Sequence, residues 1–314
     1  MSDNTENSLL SKELISALLN ERRKDRRWSI IRMFVWILFI LLVYFFIFAV
    51  TRPADPSAGA SYISLVRLNG VIMPGSNFSA YKVIPRLDKA FADPHSRGVI
   101  LQINSPGGSP VQATIIHDRI EFLKRKFHKK VVVVGQDALA SGAYLVATAA
   151  DKIYVHKDTL TGSIGVIMSG FGFTDAIKKL GITRRVFTAG TNKDRLDPFM
   201  PVSLKDRKKV TAVLDQVHKN FIQDVLLGRK GRLHGKPSEL FSGDFWTGSH
   251  AVSLGIVDGT GDLWTIMKTQ FGVAHYRDYS VRPSLIESIL KGAETKLGIA
   301  LENDHVALNE ELHH

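Results

Sequence analysis

The sequence predicts an α/β fold, in which a mostly parallel sheet built from βαβ units follows one N-terminal transmembrane helix. Two observations predict it. From about residue 62 onward, short buried strands alternate with segments of helical spacing, which is typical of right-handed crossovers between parallel strands. Before that point, one long apolar run follows a basic segment, as in a membrane anchor.

The N-terminal part is predicted to contain a cytoplasmic tail (1–32), a transmembrane signal anchor (33–51) and a linker (52–61). Residues 22–32 hold six Arg or Lys against one Asp, and residues 33–50 are 18 uncharged, strongly apolar residues. At about 1.5 Å of rise per residue, such a run just spans a hydrocarbon core of about 30 Å. The positive-inside bias then places the tail in the cytoplasm and the remaining chain beyond the inner membrane. A cleaved signal peptide is the alternative, which the length of the preceding tail disfavours.

The folded domain is predicted over 62–272, and residues 273–314 are predicted to be a C-terminal helix (283–301) and a flexible tail. Hydrophobic spacing and turn residues define the elements of the domain. The predicted strands are 62–73 (one or two strands around a turn at Asn69-Gly70), 98–104, 130–135, 152–156, 163–168 and 184–190, and the predicted helices are 79–93, about 110–127, a segment from Ser141, 174–181 and about 204–227.

Composition and motifs exclude several classes of function. The 314 residues include no cysteine, which excludes a disulfide framework, a thiol nucleophile and cysteine-ligated metals. The formal net charge is +11, but much of the excess lies before the apolar run, and the basic stretches at 124–130 and 205–209 are explained by solvated helix faces. We therefore expect no nucleic-acid partner. Neither the H-E-x-x-H motif nor a P-loop occurs, and no metal or other cofactor is expected.

Three short turns rich in Gly and Ser each follow a predicted strand. Functional sites in α/β sheets gather at the carboxyl ends of strands. The turn at 104–110 offers backbone N–H groups of the kind that an oxyanion hole needs, and the turn at 138–144 places Ser141 at the start of a helix beside the N–H of Gly142. The turn at 161–166 brings Ser163. Any one of these turns alone is more often structural than catalytic.

A nucleophilic serine needs a base, and the histidines are poorly placed to supply one. Most lie in polar segments or within helices that have solvent-facing positions, and only His156, which ends a predicted strand, is kept as a weak candidate. No G-x-S-x-G elbow occurs. A lysine can act as the base when burial lowers its pKa toward neutrality. Lys193, in the loop at 188–201, is one candidate, although composition alone does not select it among the lysines.

Five motifs in order resemble the signal peptide peptidase A (protease IV) family of membrane-anchored Ser/Lys peptidases. The resemblance covers roughly 61–272 and implies a ClpP/crotonase-like parallel-sheet domain. The motifs are SPGG (105–108), ASGAYLVATAAD (140–151), TGSIGVI (161–167), TAGTNKDRLDPF (188–199) and DFWTGSHAVSLGIVDGTGD (244–262).

Carried over residue by residue, the resemblance implies a role for each predicted site residue. Ser141 matches the nucleophile and Lys193 the general base. Ser163 matches a hydroxyl that helps to orient the lysine amine, while Gly108 and Gly142 match the backbone donors to the oxyanion.

The chain departs from the family pattern at several positions. Ala143 replaces a glycine after the nucleophile and adds one methyl group, and Asp244 stands where an arginine is common. Asn192 replaces an aromatic residue before the lysine, and Asp194 follows it. A nearby carboxylate favours the charged ammonium, so the working pKa of Lys193 is in question.

The function that the resemblance implies is that of a serine endopeptidase that degrades cleaved signal peptides and other short hydrophobic or unfolded polypeptides. Family members form ring- or dome-like homo-oligomers with sites at subunit boundaries, so the base of one subunit can serve the serine of its neighbour. Two alternatives stay open. One is a catalytically inactive membrane scaffold of the same fold, which the altered lysine loop favours. The other is a crotonase-type acyl-CoA enzyme, which would need a pocket carboxylate that the sequence does not reveal.

Overall fold

The computed structural model of the chain describes residue 28, residues 30–48 and residues 61–281. The chain divides into two compact units, Met1–Ala58 and Gly59–His314. In the first unit, helix α1 (Ile30–Phe48) has 19 residues and a mean hydropathy of 2.7, and its side chains are exposed. By length and composition, α1 is a candidate membrane span.

Eight strands form one sheet within residues 61–281, and every pairing is parallel except β5 with β6. The predicted α/β architecture with a mostly parallel sheet is thereby confirmed. The main order is β6-β5-β3-β2-β1-β8; off this path, β4 pairs with β3, and β7 pairs with β4. The strands are β1 (Tyr62–Asn69), β2 (Ser96–Ser105), β3 (Lys130–Ala140), β4 (Lys152–Val155), β5 (Leu160–Gly162), β6 (Phe245–Thr247), β7 (Gly259–Thr260) and β8 (His275–Asp278).

Helices cover both faces of the sheet. Side chains alternate along β2, so that Val99 and Leu101 join the larger core cluster while Ile100 joins the smaller one. The larger cluster packs against α2, α3 and α4, and the smaller one packs against α9. The helices of this unit are α2 (Ala80–Ala92), α3 (Pro110–Phe127), α4 (Gly142–Thr148), α5 (Thr174–Lys179), α6 (Leu204–Gly228), α7 (Pro237–Leu240), α8 (Gly248–Ser253) and α9 (Leu263–Phe271).

Strand β3 has two successive neighbours on one edge. Residues 132–135 pair with β4, and residues 138–140 pair with β5. Its register with β2 shifts between the pairs Ile103–Gly135 and Ser105–Leu139, which marks an irregularity in the ladder. The sequence prediction ended this strand at residue 135, but the chain continues in extended form to Ala140 and delivers Ser141 to the start of α4.

The strands predicted at 163–168 and 184–190 are wrong. After β5, Gly162 and Ser163 have φ values of +93° and +49°, and the Gly165 N–H donates to Ser163 O at 2.9 Å, so the chain turns away from the sheet. Residues 184–190 are all exposed, and no strand among residues 61–281 lies alongside to pair with them. The predicted helix at 283–301 lies outside the described residues.

A buried ion pair anchors the C-terminal end of α6. Arg229 is 1% exposed, and its Nη1 donates to Asp258 Oδ2 at 2.6 Å while Nε and Nη2 donate to Gly255 O. Burial raises the pKa of the Asp258 carboxyl, but hydrogen bonds from Arg229 and from the Ile153 backbone outweigh it, leaving the pKa below its ordinary value. This contact fixes which face of α6 turns toward the rest of the unit.

Candidate active site

A cavity of about 700 Å³ lies where α3, α4, α6 and the loop after β5 meet. Four of the five predicted site residues line it, namely Gly108, Ser141, Gly142 and Ser163. The other walls are mainly apolar, and the remaining lining residues are Pro110, Val111, Thr114, Ile115, Leu145, Gly165, Val166, Ile167, Val217, Asn220, Phe221, Asp224, Ser242 and Gly243.

Ser141 occupies an uncommon backbone conformation, with φ +54° and ψ −127°. Positive φ is rare for a residue with a side chain, and strain of this kind persists only where the surroundings impose it. Here the N–H of Ser141 donates to Gly162 O at 2.8 Å, and its carbonyl accepts from the Leu145 N–H at 3.0 Å. Within the described part of the chain, its hydroxyl has no hydrogen-bond partner. The main chain is therefore held while the hydroxyl stays available at the cavity.

The glycine turn after β2 packs directly against Ser141. At Gly107, with φ +101°, a Cβ would lie 2.7 Å from Ser141 Cβ and 2.8 Å from Gly142 N. At Gly108, with φ +144°, a Cβ would lie only 2.1 Å from Ile72 O. Only glycine meets both the conformational and the steric demand at these positions. The close approach brings the backbone of this turn next to the start of α4.

Two backbone amides beside Ser141 have no acceptor among the residues that the structure describes. The N–H of Gly142 belongs to the first turn of α4, whose amides lack helical partners. The N–H of Gly108 is likewise unbonded, although the neighbouring Ser109 N–H donates to Ile72 O at 2.7 Å. A Cβ on Gly142 would lie 3.5 Å from Gly108 N, so the two amides are close together. Such a pair can accommodate the oxygen of a tetrahedral intermediate.

Ser163 is fixed by contacts on both sides. Its N–H donates to Asp244 O at 2.7 Å, so Asp244 contributes its carbonyl here. The next carbonyl, Ile164 O, lies 2.9 Å from His218 Nε2. Because a carbonyl only accepts hydrogen bonds, Nε2 is the nitrogen that carries the proton. His218 therefore ties α6 to the loop that holds Ser163.

Lys193 does not line the cavity. Its side chain is exposed, it belongs to a series of turns at 191–196, and it forms no ion pair with Asp194 or with any other described residue. Arg195 holds the loop by pairing with Asp206 and by donating to Asn192 Oδ1. A single chain thus brings together the serine and the amide donors, but not the lysine.

Sequence reasoning missed Asp224, the only ionisable residue among the described ones that line the cavity. The sequence did not reveal this carboxylate, which the alternative of a crotonase-type acyl-CoA enzyme would need. Val217, Asn220, Phe221 and Asp224 follow the i, i+3, i+4, i+7 spacing of one helix face, which was the available signal. Burial raises the pKa of the Asp224 carboxyl; His117 opposes the rise and Asp118 adds to it.

The weak candidate base, His156, lies apart from Ser141. His156 lines a second cavity, of about 420 Å³, to which Ser141 does not contribute. Among the described residues, no group of three or more His, Asp or Glu side chains could hold a metal ion.

In comparisons with known proteins, two family models match parts of the chain. The model of peptidase family S49 matches residues 123–270, and that of Clp protease matches residues 67–160. Protease 4 of Haemophilus influenzae is 30% identical over 205 residues, which are 64% of this chain and 33% of that relative. The serine protease SPPA, chloroplastic, of Arabidopsis thaliana is 27% identical over 216 residues, which are 66% of this chain and 32% of that relative.

A third relative carries a different name. The Na(+)/H(+) antiporter NhaA of Brucella melitensis is 44% identical over 215 residues, which are 67% of this chain and 29% of the antiporter. The chain spans about a third or less of each of these three relatives. The antiporter's name describes that longer protein and is not carried over to this chain.

Proposed function

Because the chain belongs to the signal peptide peptidase A family of S49 peptidases, within the ClpP/crotonase-type superfamily, we propose that it is a membrane-anchored serine endopeptidase. Ser141 is the nucleophile and Lys193 is the general base. One observation supports this assignment above the others. Ser141 is held at positive φ at the start of α4, beside the unbonded amides of Gly108 and Gly142.

The mechanism follows from these positions. The neutral amine of Lys193 takes the proton of Ser141 Oγ as that oxygen attacks a peptide carbonyl. The N–H groups of Gly108 and Gly142 then bind the oxyanion, and each such donor contributes roughly 3 kcal/mol in the transition state. The lysine gives the proton to the departing amine, and water hydrolyses the acyl-enzyme. The hydroxyl of Ser163 orients the lysine amine.

The base reaches the serine from a neighbouring copy of the chain. No residue from 166 to 204 is buried, although this segment includes Ile167, Phe171 and Phe187, which are 86%, 83% and 93% exposed. Apolar surface of this extent is typical of a protein interface. We therefore propose a ring- or dome-like homo-oligomer in which this segment, with Lys193, covers the cavity of the next subunit.

The substrates we propose are cleaved signal peptides and other short hydrophobic or unfolded polypeptides. The cavity beside Ser141 has apolar walls that include Leu145, Val217 and Phe221. The orientation we propose, with a cytoplasmic N-terminus and an extracytoplasmic catalytic domain, is supported by the basic residues before α1. An anchor of this kind would keep the domain at the bilayer, where such remnants accumulate.

Two rival functions each have one supporting observation. An inactive scaffold is favoured by the polar neighbours Asn192 and Asp194 of the lysine. An acyl-CoA enzyme is favoured by the carboxylate of Asp224 in the cavity. The match to the S49 peptidase model supports the peptidase over both.

Labelling with a serine-reactive fluorophosphonate tests the proposal. The full chain in detergent should be labelled at Ser141 across a pH series, with labelling increasing as the lysine amine loses its proton. Ser141→Ala should abolish the label, whereas Ser249→Ala, at an exposed serine outside the cavity, should not. An unlabelled but folded wild-type chain would favour the scaffold.

A further inference from the structure

We infer that Asp224 is a specificity-determining residue, whose carboxylate selects peptides that place a lysine or arginine side chain in the apolar cavity beside Ser141. The inference rests on the proposed peptidase function and names a substrate class for that site. Three observations support it: Asp224 faces the cavity from α6, its carboxylate has no hydrogen-bond donor among the described residues, and the cavity walls around it are mainly apolar.

Contacts at two points fix the position of Asp224 along the cavity. Six residues before it, His218 donates to Ile164 O in the loop of Ser163. Four residues after it, Gly228 packs on the end of α4, where a Cβ would lie 2.3 Å from Thr148 O. Asp224 therefore lies between the catalytic loop and the far end of α4, on the same helix face as Val217 and Phe221.

The carboxylate of Asp224 accepts no hydrogen bond from any residue in the described part of the chain. The titratable groups that act electrostatically on its pKa, His117 and Asp118, come from α3. Nδ1 of His117 lies 3.1 Å from Asp118 Oδ1, and the His117 side chain is only 12% exposed, so this nitrogen already has a partner. A partly desolvated carboxylate without a donor is unfavourable, and an incoming cation with N–H groups would relieve that cost.

The walls fit the stem of a basic side chain. Leu145 on α4, Val111 and Ile115 on α3, and Phe221 on α6 line the cavity with apolar surface. Lysine and arginine bury their methylene stems along such surfaces while their charged heads reach a polar group. An apolar pocket with a single acidic group thus discriminates between norleucine and lysine, which have stems of the same length but differ in the terminal ammonium.

Binding to an inactive enzyme tests the inference without requiring turnover. The full-length Ser141→Ala variant is placed in lipid nanodiscs, and fluorescent hydrophobic peptides carry norleucine, lysine, arginine or glutamine at each position in turn. At one position, lysine or arginine should lower Kd by about tenfold relative to norleucine, which is the size expected for one charge-assisted hydrogen bond.

Matched variants in the same Ser141→Ala background show whether Asp224 is responsible. Asp224→Asn should remove the preference, and Asp224→Lys should transfer it to a peptide with glutamate at that position. Asp215→Asn changes the same residue type on an exposed part of α6 outside the cavity, so it should leave the preference intact. Thermal unfolding of each variant confirms that it is folded.

Two results would overturn the inference: equal Kd values for lysine and norleucine at every position, or a lysine preference that persists in Asp224→Asn. Cleavage by the wild-type chain separates this outcome from failure of the proposed function. If the wild type cleaves the norleucine peptides without a basic preference in binding, the inference fails and the peptidase stands. If the basic preference in binding is found but nothing is cleaved or labelled, the peptidase assignment fails and the selection by Asp224 stands.

Discussion

Two regions of the proposed site differ in how firmly contacts within one chain hold them. They are the strand-end turns around Ser141 and the segment that carries Lys193. The strand-end turns, at 105–109, 138–142 and 162–165, are tied to one another and to Ile72 by main-chain hydrogen bonds. The 166–204 segment has only the six-residue helix α5 and the start of α6, and none of its residues is buried.

This difference indicates which part of the proposed site a single chain leaves incomplete. One chain places Ser141, the proposed nucleophile, beside the amides of Gly108 and Gly142, the proposed oxyanion donors. The position of the base depends on what covers the 166–204 segment. Each prediction below acts on one of the two regions, and the expected effects decrease from the first to the last.

The largest effect is expected when each region is inactivated in a separate variant and the two variants are then coexpressed. Ser141→Ala and Lys193→Ala should each lower peptide hydrolysis by at least about a thousandfold, because the dyad acts as a unit. Coexpression of the two variants should restore part of the activity, since some interfaces then combine an intact serine with an intact lysine. The rate of cleavage of a quenched fluorescent peptide measures both results. Mixed oligomers without any recovery would indicate that serine and lysine come from the same chain.

Within the strand-end turns, Gly108→Ala should lower kcat by about a hundredfold or more, the cost of displacing one oxyanion donor. Its Cβ would clash with Ile72 O, and alanine does not readily adopt φ +144°. Gly272→Ala is the matched control, because it also places a side chain at positive φ (+66°) but would meet nothing within 4 Å and lies outside the cavity. Kinetics should show an unchanged rate for Gly272→Ala and an impaired Gly108→Ala, with thermal unfolding reporting whether each variant is folded. A folded Gly108→Ala with the wild-type rate would argue against the oxyanion site.

In the 166–204 segment, Phe187→Ser should weaken association of the chains by about tenfold or more, as truncating a buried aromatic anchor does at interfaces. Light scattering after size-exclusion chromatography in detergent measures the assembly. Thermal unfolding should change little, because the Phe187 side chain is 93% exposed in the single chain. Phe187→Leu should preserve the oligomer. An unchanged mass for Phe187→Ser would remove this segment from the interface.

The smallest effect is expected at the junction of α6 with the strand-end turns. His218→Ala removes the donor to Ile164 O and should lower kcat by about two- to tenfold, the usual net contribution of one hydrogen bond. KM should change little, since His218 does not line the cavity. His218→Gln retains a donor at a similar position and should recover most of the rate. A purely structural role would instead lower the unfolding temperature in both variants.

The sequence predicts those parts of the fold whose signal is local. The buried runs of β2 and β3 end in glycine and serine turns, and the apolar spacing of α2 and α3 is regular, so the type and approximate position of each element were accessible, although β3 runs to Ala140 rather than ending at residue 135. The segment at 184–190 misled because Val186 and Phe187 are residue types that favour strands, and such a preference does not specify a partner strand. Phe187 is 93% exposed, and no strand in the described chain lies alongside it.

The candidate site shows the same limit. Ser141, Gly142 and Gly108 lie next to breaks in secondary structure that the sequence itself marks. Asp224 lies in the C-terminal part of the amphipathic helix α6, where the apolar period is visible in the sequence but the direction of each face is not. That direction depends on the docking of α6, which the pair between Arg229 and Asp258 fixes from residues far apart in the chain.

The glycine contacts at Ile72 have a consequence for how the proposed peptidase can diversify. The groups that would perform the chemistry are mostly main-chain atoms, whose placement depends on small residues and backbone geometry. The groups that would choose the peptide are side chains of α3 and α6, which random substitution can exchange without disturbing that geometry. Mutational tolerance should therefore be lowest at the glycines and highest on the helix faces, so new cleavage preferences can arise while the reaction itself is conserved.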